Sequence, residues 1–324
     1  MKTERIYLYN DRTDVWLNTY ILDTPISMPE GVKRPAVLVC PGGGYFNCSE
    51  AEGEPVAMKF ISMGYDAFVL EYSTYLGAGT TFPDITQEMP VKEECLYPNN
   101  VREIGMAFRI INSNADEWNV DSRRIAVCGF SAGGHNAAMY ATNWHTDIIS
   151  GYLGGDREIY RPAAAILGYP LTDYVYKNKA EKSMPSFVQD FFHKSDLIFL
   201  GSENPDQDLL KKVSPARNIS DNTPPTFIWA TAGDGLVPVQ HSIIMANALA
   251  EHKIPFELHI FEEGDHGLSL ATQATAMSKS QIKADAGKWS DLAGVWLEKR
   301  FALDLPDMAP FEVAMAEGRH PGQN

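Results

Sequence analysis

Basic residues are scarce in this chain. Its 324 residues carry 27 Lys and Arg against 42 Asp and Glu, a net charge of −15 with His neutral. No basic run offsets that excess, which argues against a nucleic-acid or anionic-membrane surface. No apolar run reaches the ~18 residues that a membrane-spanning helix needs. Residues 1–14 contain no apolar stretch of the signal-peptide kind. Cysteine is sparse as well. Cys40, Cys48, Cys95 and Cys128 show no paired spacing, and Cys40 and Cys128 end apolar runs, so these two read as buried thiols. A reducing cytoplasm is the expected compartment. Zinc motifs of the H-E-x-x-H or paired-cysteine type are missing. A phosphate loop is missing too. No Gly-Lys-Ser/Thr follows the glycines at 42–44, and Asn47 stands where G-x-G-x-x-G needs its last glycine. No metal or other cofactor is expected.

What the chain does have is alternation. Apolar runs at 36–40, 67–72, 124–128, 163–167, 226–230 and 256–261 read as buried parallel strands. Two earlier stretches, 5–9 and 15–22, alternate in the manner of an antiparallel pair. Helical stretches lie between them at 54–63, 100–114, 132–142, 239–252 and 285–300. The helix at 100–114 has a stripe of Val101, Ile104, Phe108 and Ile111. Those at 239–252 and 285–300 have stripes through Ile243, Ile244, Ala246 and Leu249, and through Trp289, Leu292, Val295 and Trp296. The expected fold is α/β: an eight-stranded, mostly parallel sheet with helices on both faces, forming one domain over 1–324 with its core at about 33–300. Two long stretches lack a period, 73–98 and 173–222. The second lies after the sixth strand and is rich in aromatics. Both read as lid or cap segments that wall a site. The tail, 304–324, reads as a loose extension.

The strongest chemical signal is Gly129-Phe130-Ser131-Ala132-Gly133, a G-x-S-x-G between a strand and a helix. The glycines allow a sharp turn, and the serine sits exposed at its apex. The amide of Ala132 then lies at a helix amino terminus, suited to an oxyanion. Serine needs a base, and the base needs an orienting acid. Of eight histidines, His266 follows the last strand, where active-site loops collect. His241, His252 and His259 fall on a helix or strand, and His145, His193 and His320 read as surface or cap residues. His135, just after the serine turn, is placed to line the base of the site. Asp234, in the glycine-flanked turn after the preceding strand, is the favoured acid, with adjacent Asp265 as its rival. The order Ser131, Asp234, His266 is that of α/β-hydrolases. The glycine-rich loop after the third strand, Pro41-Gly42-Gly43-Gly44-Tyr45, would offer the second oxyanion donor.

With the run 129–135 and the stretch 234–267, that loop resembles the α/β-hydrolase esterases. The likeness is to the acetyl xylan esterase and feruloyl esterase-like branch, near the hormone-sensitive-lipase-like carboxylesterases, over about residues 33–300. The related lipases have His before the glycines; this chain has Pro41 there, as the acetyl-ester branch does. The resemblance implies the α/β-hydrolase fold, Ser131 as nucleophile, Asp234 as acid, His266 as base, and an oxyanion hole from the amides of Gly43, Gly44 and Ala132. It implies a serine esterase acting on short acyl esters, above all acetyl, of carbohydrates or similar alcohols. Tyr45, His135 and Phe187 are the expected substrate-binding residues, and Tyr75, Phe82, Phe191 and Phe192 the bulky wall. The expected partner is a small ester, an acylated sugar, rather than nucleic acid or membrane. Aromatic cap segments also suit self-association into a homo-oligomer. Two other readings share the fold. A prolyl-oligopeptidase-type peptidase carries a large amino-terminal domain, for which only about 35 residues are available here. A non-catalytic binding module typically lacks the histidine.

Overall fold

The computed structural model describes residues 1–24, 28–29, 31–77, 82–303 and 305–318. Residues 78–81 of the first lid segment, and 304, 319 and His320 onward in the tail, lie outside the described residues.

Eight strands form one sheet: β1 (Lys2–Tyr7), β2 (Trp16–Ile21), β3 (Arg34–Cys40), β4 (Asp66–Glu71), β5 (Val120–Phe130), β6 (Ala164–Gly168), β7 (Thr226–Thr231) and β8 (Phe256–Phe261). Their order is β1-β2-β4-β3-β5-β6-β7-β8. β2 pairs antiparallel with both β1 and β4, and the remaining pairs are parallel. β1 begins and ends earlier than its sequence pattern predicts. The ladder explains this, since Lys2 faces Ile21 and Tyr7 faces Trp16 across β2.

The helices are α1 (Glu54–Ser62), α2 (Asn99–Ser113), α3 (Ser131–Asn143), α4 (Ser150–Leu153), α5 (Tyr174–Ala180), α6 (Ser186–Leu200), α7 (Gln207–Lys212), α8 (Gln240–Glu251), α9 (Trp289–Phe301) and α10 (Pro310–Ala316). They cover both faces of the sheet. Every residue of β3 is buried, yet the two-residue period persists within it. Ala36, Leu38 and Cys40 join the layer containing α2, α3 and α8. Val37 and Val39 join the layer of α1 and α9.

Three readings of helical segments need correction. The stretch 173–222 is largely helical, through α5, α6 and α7. Local signals existed: the Asp173 and Asp206 carboxylates accept from the amides of Tyr176 and Leu209, each at 2.8 Å, and Gly201 ends α6 with φ 75°. In α9 the buried face is Trp289, Ala293, Trp296 and Leu297, while Val295 is 57% exposed. Gly294 lets α9 approach Met63 closely, since a Cβ there would lie 3.1 Å from the Met63 sulfur. In α8, Met245 replaces Ile243 on the buried face. The tail adds the short exposed helix α10. All four cysteines are free and buried. Among the described residues no helix is long and apolar enough to cross a membrane.

Candidate active site

The site is built where the parallel strands end. β5 stops at Phe130 and α3 begins at Ser131, which has φ 52°. A non-glycine residue in that region is strained, so the surroundings must enforce it. They do so by backbone contact. A Cβ on Gly129 would lie 2.2 Å from the Gly133 carbonyl oxygen, and one on Gly133 only 2.1 Å from that of Cys40. The two glycines of the motif are what allow β3, β5 and α3 to meet this closely.

Ser131 Oγ lies 2.7 Å from His266 Nε2, and His266 Nδ1 lies 2.7 Å from Asp234 Oδ2. The structure thus brings together three residues spread over 135 positions. Asp234 sits in the β7–α8 turn. Its other oxygen accepts from the amides of Leu236 and Val237, both at 2.9 Å, and its side chain is fully buried. The carboxylate is therefore fixed before it meets the histidine. Asp265, by contrast, is exposed at the rim of a neighbouring cleft. Burial works against a charge on His266. The Asp234 charge and hydrogen bond, with a further contribution from Glu52, outweigh it and hold the pKa above the ordinary histidine value. With the Nδ1 proton directed at Asp234, the Nε2 lone pair faces the serine.

Gly43, Gly44, Ser131 and His266 line one cleft of about 680 Å³. The amide of Ala132 belongs to the first turn of α3, where no intrahelical acceptor exists. Behind the serine lies an inner cavity of about 20 Å³, bounded by Gly44, Ala132, Tyr174, Phe191, Phe192 and Leu236, among others. Tyr45 and His135 touch this cavity from below and are fully buried. The Tyr45 hydroxyl bonds to His135 Nδ1, and His135 Nε2 donates to the Val213 carbonyl at 2.7 Å. Burial lowers the pKa of His135 to about 4, so it is neutral. Tyr45 also stacks on Phe199 at 4.2 Å. Phe187 takes a different position. It is 69% exposed on α6, at the edge of an apolar cleft of about 600 Å³ whose base includes Leu236 and His266. Another cleft, about 780 Å³, is elsewhere. It lies at the opposite end of the sheet beside Arg123, Arg161 and Asp221 and has no serine–histidine pair. Position at the strand ends, rather than volume, identifies the site.

Sequence reasoning passed over Glu52 and Tyr169. Glu52 stands in an acidic run, 50–54, that reads as solvated surface. It is nevertheless buried, 3% exposed, and its carboxylate accepts the Gly42 amide at 2.7 Å and the Tyr169 hydroxyl at 2.5 Å. The available signal was positional, since Tyr169 directly follows β6.

The chain is similar to several known proteins. The family model BD-FAE matches residues 22–249. The endo-1,4-beta-xylanase B of Butyrivibrio fibrisolvens is 36% identical over 243 residues, which is 75% of this chain and 34% of that protein. The acetylxylan esterase of Xylanibacter ruminicola is 29% identical over 271 residues, 81% of this chain and 46% of that protein. The chain therefore spans about a third to a half of the length of these curated relatives. Among solved structures, the acetyl ester-xyloside bifunctional hydrolase from Caldicellulosiruptor lactoaceticus is similar with a TM-score of 0.69 at 30% identity, covering 91% of this chain and 96% of that one.

Proposed function

Because the chain belongs to the BD-FAE family and has the α/β-hydrolase fold, we propose that it is a serine esterase removing short acyl groups, above all acetyl, from carbohydrates or similar alcohols. A relative named as an acetylxylan esterase and a solved acetyl ester-xyloside hydrolase support a carboxylic ester hydrolase. One observation carries the mechanism: the continuous Ser131–His266–Asp234 relay, with both links at 2.7 Å.

His266 Nε2 accepts the Ser131 proton as Oγ attacks the ester carbonyl carbon. The oxyanion that forms takes hydrogen bonds from the Ala132 amide and from the Gly43–Gly44 loop. Asp234 stabilises the imidazolium. Collapse of the tetrahedral intermediate expels the alcohol, which leaves with the proton held by His266. Water then repeats the sequence on the acyl-enzyme.

The inner cavity of about 20 Å³ supports the short acyl group. Tyr45 and His135 shape that cavity from below rather than contacting a sugar. Phe187 and Phe191, at the outer cleft, offer ring faces to the alcohol. The sugar itself is supported by the likeness to an acetylxylan esterase and to an acetyl ester-xyloside hydrolase. The test is turnover of a small acetyl ester beside an aminoacyl anilide. Acetyl-ester turnover that Ser131→Ala reduces by at least ~10³-fold, with the circular-dichroism spectrum unchanged, is expected. Anilide turnover alone, or an active Ser131→Ala variant, would overturn the reading.

A further inference from the structure

One buried carboxylate near the relay has no part in the mechanism above. Glu52 lies in the short turn after the glycine loop and ties three separate segments together. Its Oε2 holds the amide of Gly42, which opens that loop. Its Oε1 accepts from the Tyr169 hydroxyl at the end of β6. That hydroxyl in turn accepts from the amide of Ser269, three residues beyond His266, at 2.9 Å. Ser269 Oγ closes the circuit by donating to the carbonyl of Ala51 at 2.6 Å. The Tyr169 ring meets the His266 ring edge-on, with centroids 5.0 Å apart. Tyr169 has φ 36°, a left-handed value that a non-glycine residue keeps only when its surroundings enforce it.

The hydrogen bonding also favours the charged form. Both Glu52 oxygens meet donors. If the carboxyl were protonated and donated to Tyr169, the tyrosine proton would lose its acceptor. Burial holds the Glu52 carboxyl above the ordinary carboxylate value, although the Tyr169 hydroxyl, the Gly42 amide and His266 pull it back part of the way. Two carboxylates, Glu52 and Asp234, thus act on His266. They come from different loops.

Resting on the esterase reading, we propose that Glu52, seated by Tyr169, is a positioning residue of the reaction: it holds the oxyanion loop through Gly42 and acts as a second carboxylate for the protonated form of His266. Asp234 orients the ring through a direct hydrogen bond. Glu52 acts by its charge and by the Tyr169 wall. The other groups around the histidine are the Ser131 hydroxyl and the Tyr169 ring, with Glu50 and Asp265 exposed at the cleft rims. Beside Glu52, the Cys128 thiol is kept neutral by burial.

The test is the pH profile of kcat/KM for a small acetyl ester with wild type, Glu52→Gln and Glu52→Asp. In Glu52→Gln the charge is gone. The acid limb should move to lower pH by roughly half a unit to one unit, the size expected for one nearby carboxylate. Its plateau kcat should fall about tenfold or more with KM nearly unchanged. Glu52→Asp keeps the charge with a shorter reach, so its acid limb should stay near wild type although kcat falls. A merely structural role would lower activity in both and move neither limb, and that result would overturn the proposal. So would equal limb shifts in the two variants. If Glu52→Gln does not fold, Tyr169→Phe serves instead. It removes a donor from Glu52, which then takes a proton more readily, and the limb should move the same way by less. An unmoved limb in Tyr169→Phe also overturns the proposal. Failure of the esterase reading looks different, because wild type itself would then have no ester turnover and no acid limb.

Discussion

The two sides of the candidate site are held together by different means. The serine turn, the glycine loop and the relay are each held at backbone groups. Gly133 packs against the Cys40 carbonyl, Gly42 is pinned by Glu52, and Asp234 is gripped by two amides of its own turn. The opposite wall, α5 to α7, is held by side chains. There Lys177 is buried between Glu181, at 3.1 Å, and Asp196, joining α5 to α6. Around it are the rings of Tyr174 and Phe192, within reach of its ammonium. A backbone-held element tolerates few residue types and so leaves a motif. A side-chain-held element can be built in many ways and leaves none. The proposed chemistry belongs to the first kind, and the shape of the inner cavity largely to the second.

The sharpest way to break that comparison is to damage the relay without touching the wall. Asp234→Asn retains the shape of the turn but loses the charge and favours the wrong histidine tautomer. A fall in kcat of roughly 10⁴-fold is expected, as for the acid of other such relays. The pH dependence carries a sign. His266 must be neutral to accept the serine proton, so kcat/KM rises as pH passes upward through its pKa. Asp234 helps to hold that pKa above the ordinary value of 6.5. The wild-type limb should therefore lie above ~6.5, and the limb of the residual Asp234→Asn activity below the wild-type one. A variant limb at or above wild type would remove Asp234 from the relay.

The wall can be damaged without touching the relay. Lys177→Met leaves two buried carboxylates facing each other with no cation. Breaking a buried ion cluster in this way costs about 3–5 kcal/mol. Urea denaturation should show that loss. The triple replacement Lys177→Met, Glu181→Leu and Asp196→Leu should recover most of it, because the unpaired charges, rather than the missing contact, carry the cost. Asp196 already feels the burial. Desolvation lifts its carboxyl to about 6 despite the lysine beside it. If Lys177→Met alone were neutral in stability, the cap would be held by packing, and the contrast between the two sides would weaken.

The same contrast explains what the sequence disclosed. Ser131, Asp234 and His266 could be chosen because each sits where a recognisable strand ends, and the parallel sheet carries all such ends to one side. The strands themselves were readable as short apolar runs between turns. The helices of 173–222 were hidden because their apolar residues answer to one another and to the glycine loop rather than to a regular sheet face. Tyr174 and Phe199 face Tyr45 and His135, and Phe191 faces Phe46 and Phe82. The buried face of α9 was misjudged because it includes the small residues Ala293 and Gly294, and at Gly294 close approach matters more than hydrophobicity. Glu52 was invisible for a third reason. Its partners are two amino-acid side chains or amides more than a hundred positions away or on the neighbouring loop, and nothing in an acidic run marks which carboxylate turns inward.

The smallest effect separates Phe187 from its neighbours on the wall. Being 69% exposed, it has little to lose on truncation, and Phe187→Ala should change folding stability by no more than ~0.5 kcal/mol. Phe191 packs against Phe46 and Phe82 without Phe187, so the inner cavity should survive intact. For an acetyl ester of a small aliphatic alcohol, kcat/KM should therefore stay within about threefold of wild type. A ring-bearing alcohol would reach the outer cleft, where Phe187 offers a ring face. A lost stacking contact of ~1 kcal/mol corresponds to about a fivefold drop for that ester alone. The ratio of the two kcat/KM values is the measurement, because it cancels any common change in active enzyme. An unchanged ratio would mean that Phe187 does not touch the alcohol. Equal losses on both esters would mean instead that it supports the wall, and the wall would then extend to its exposed edge.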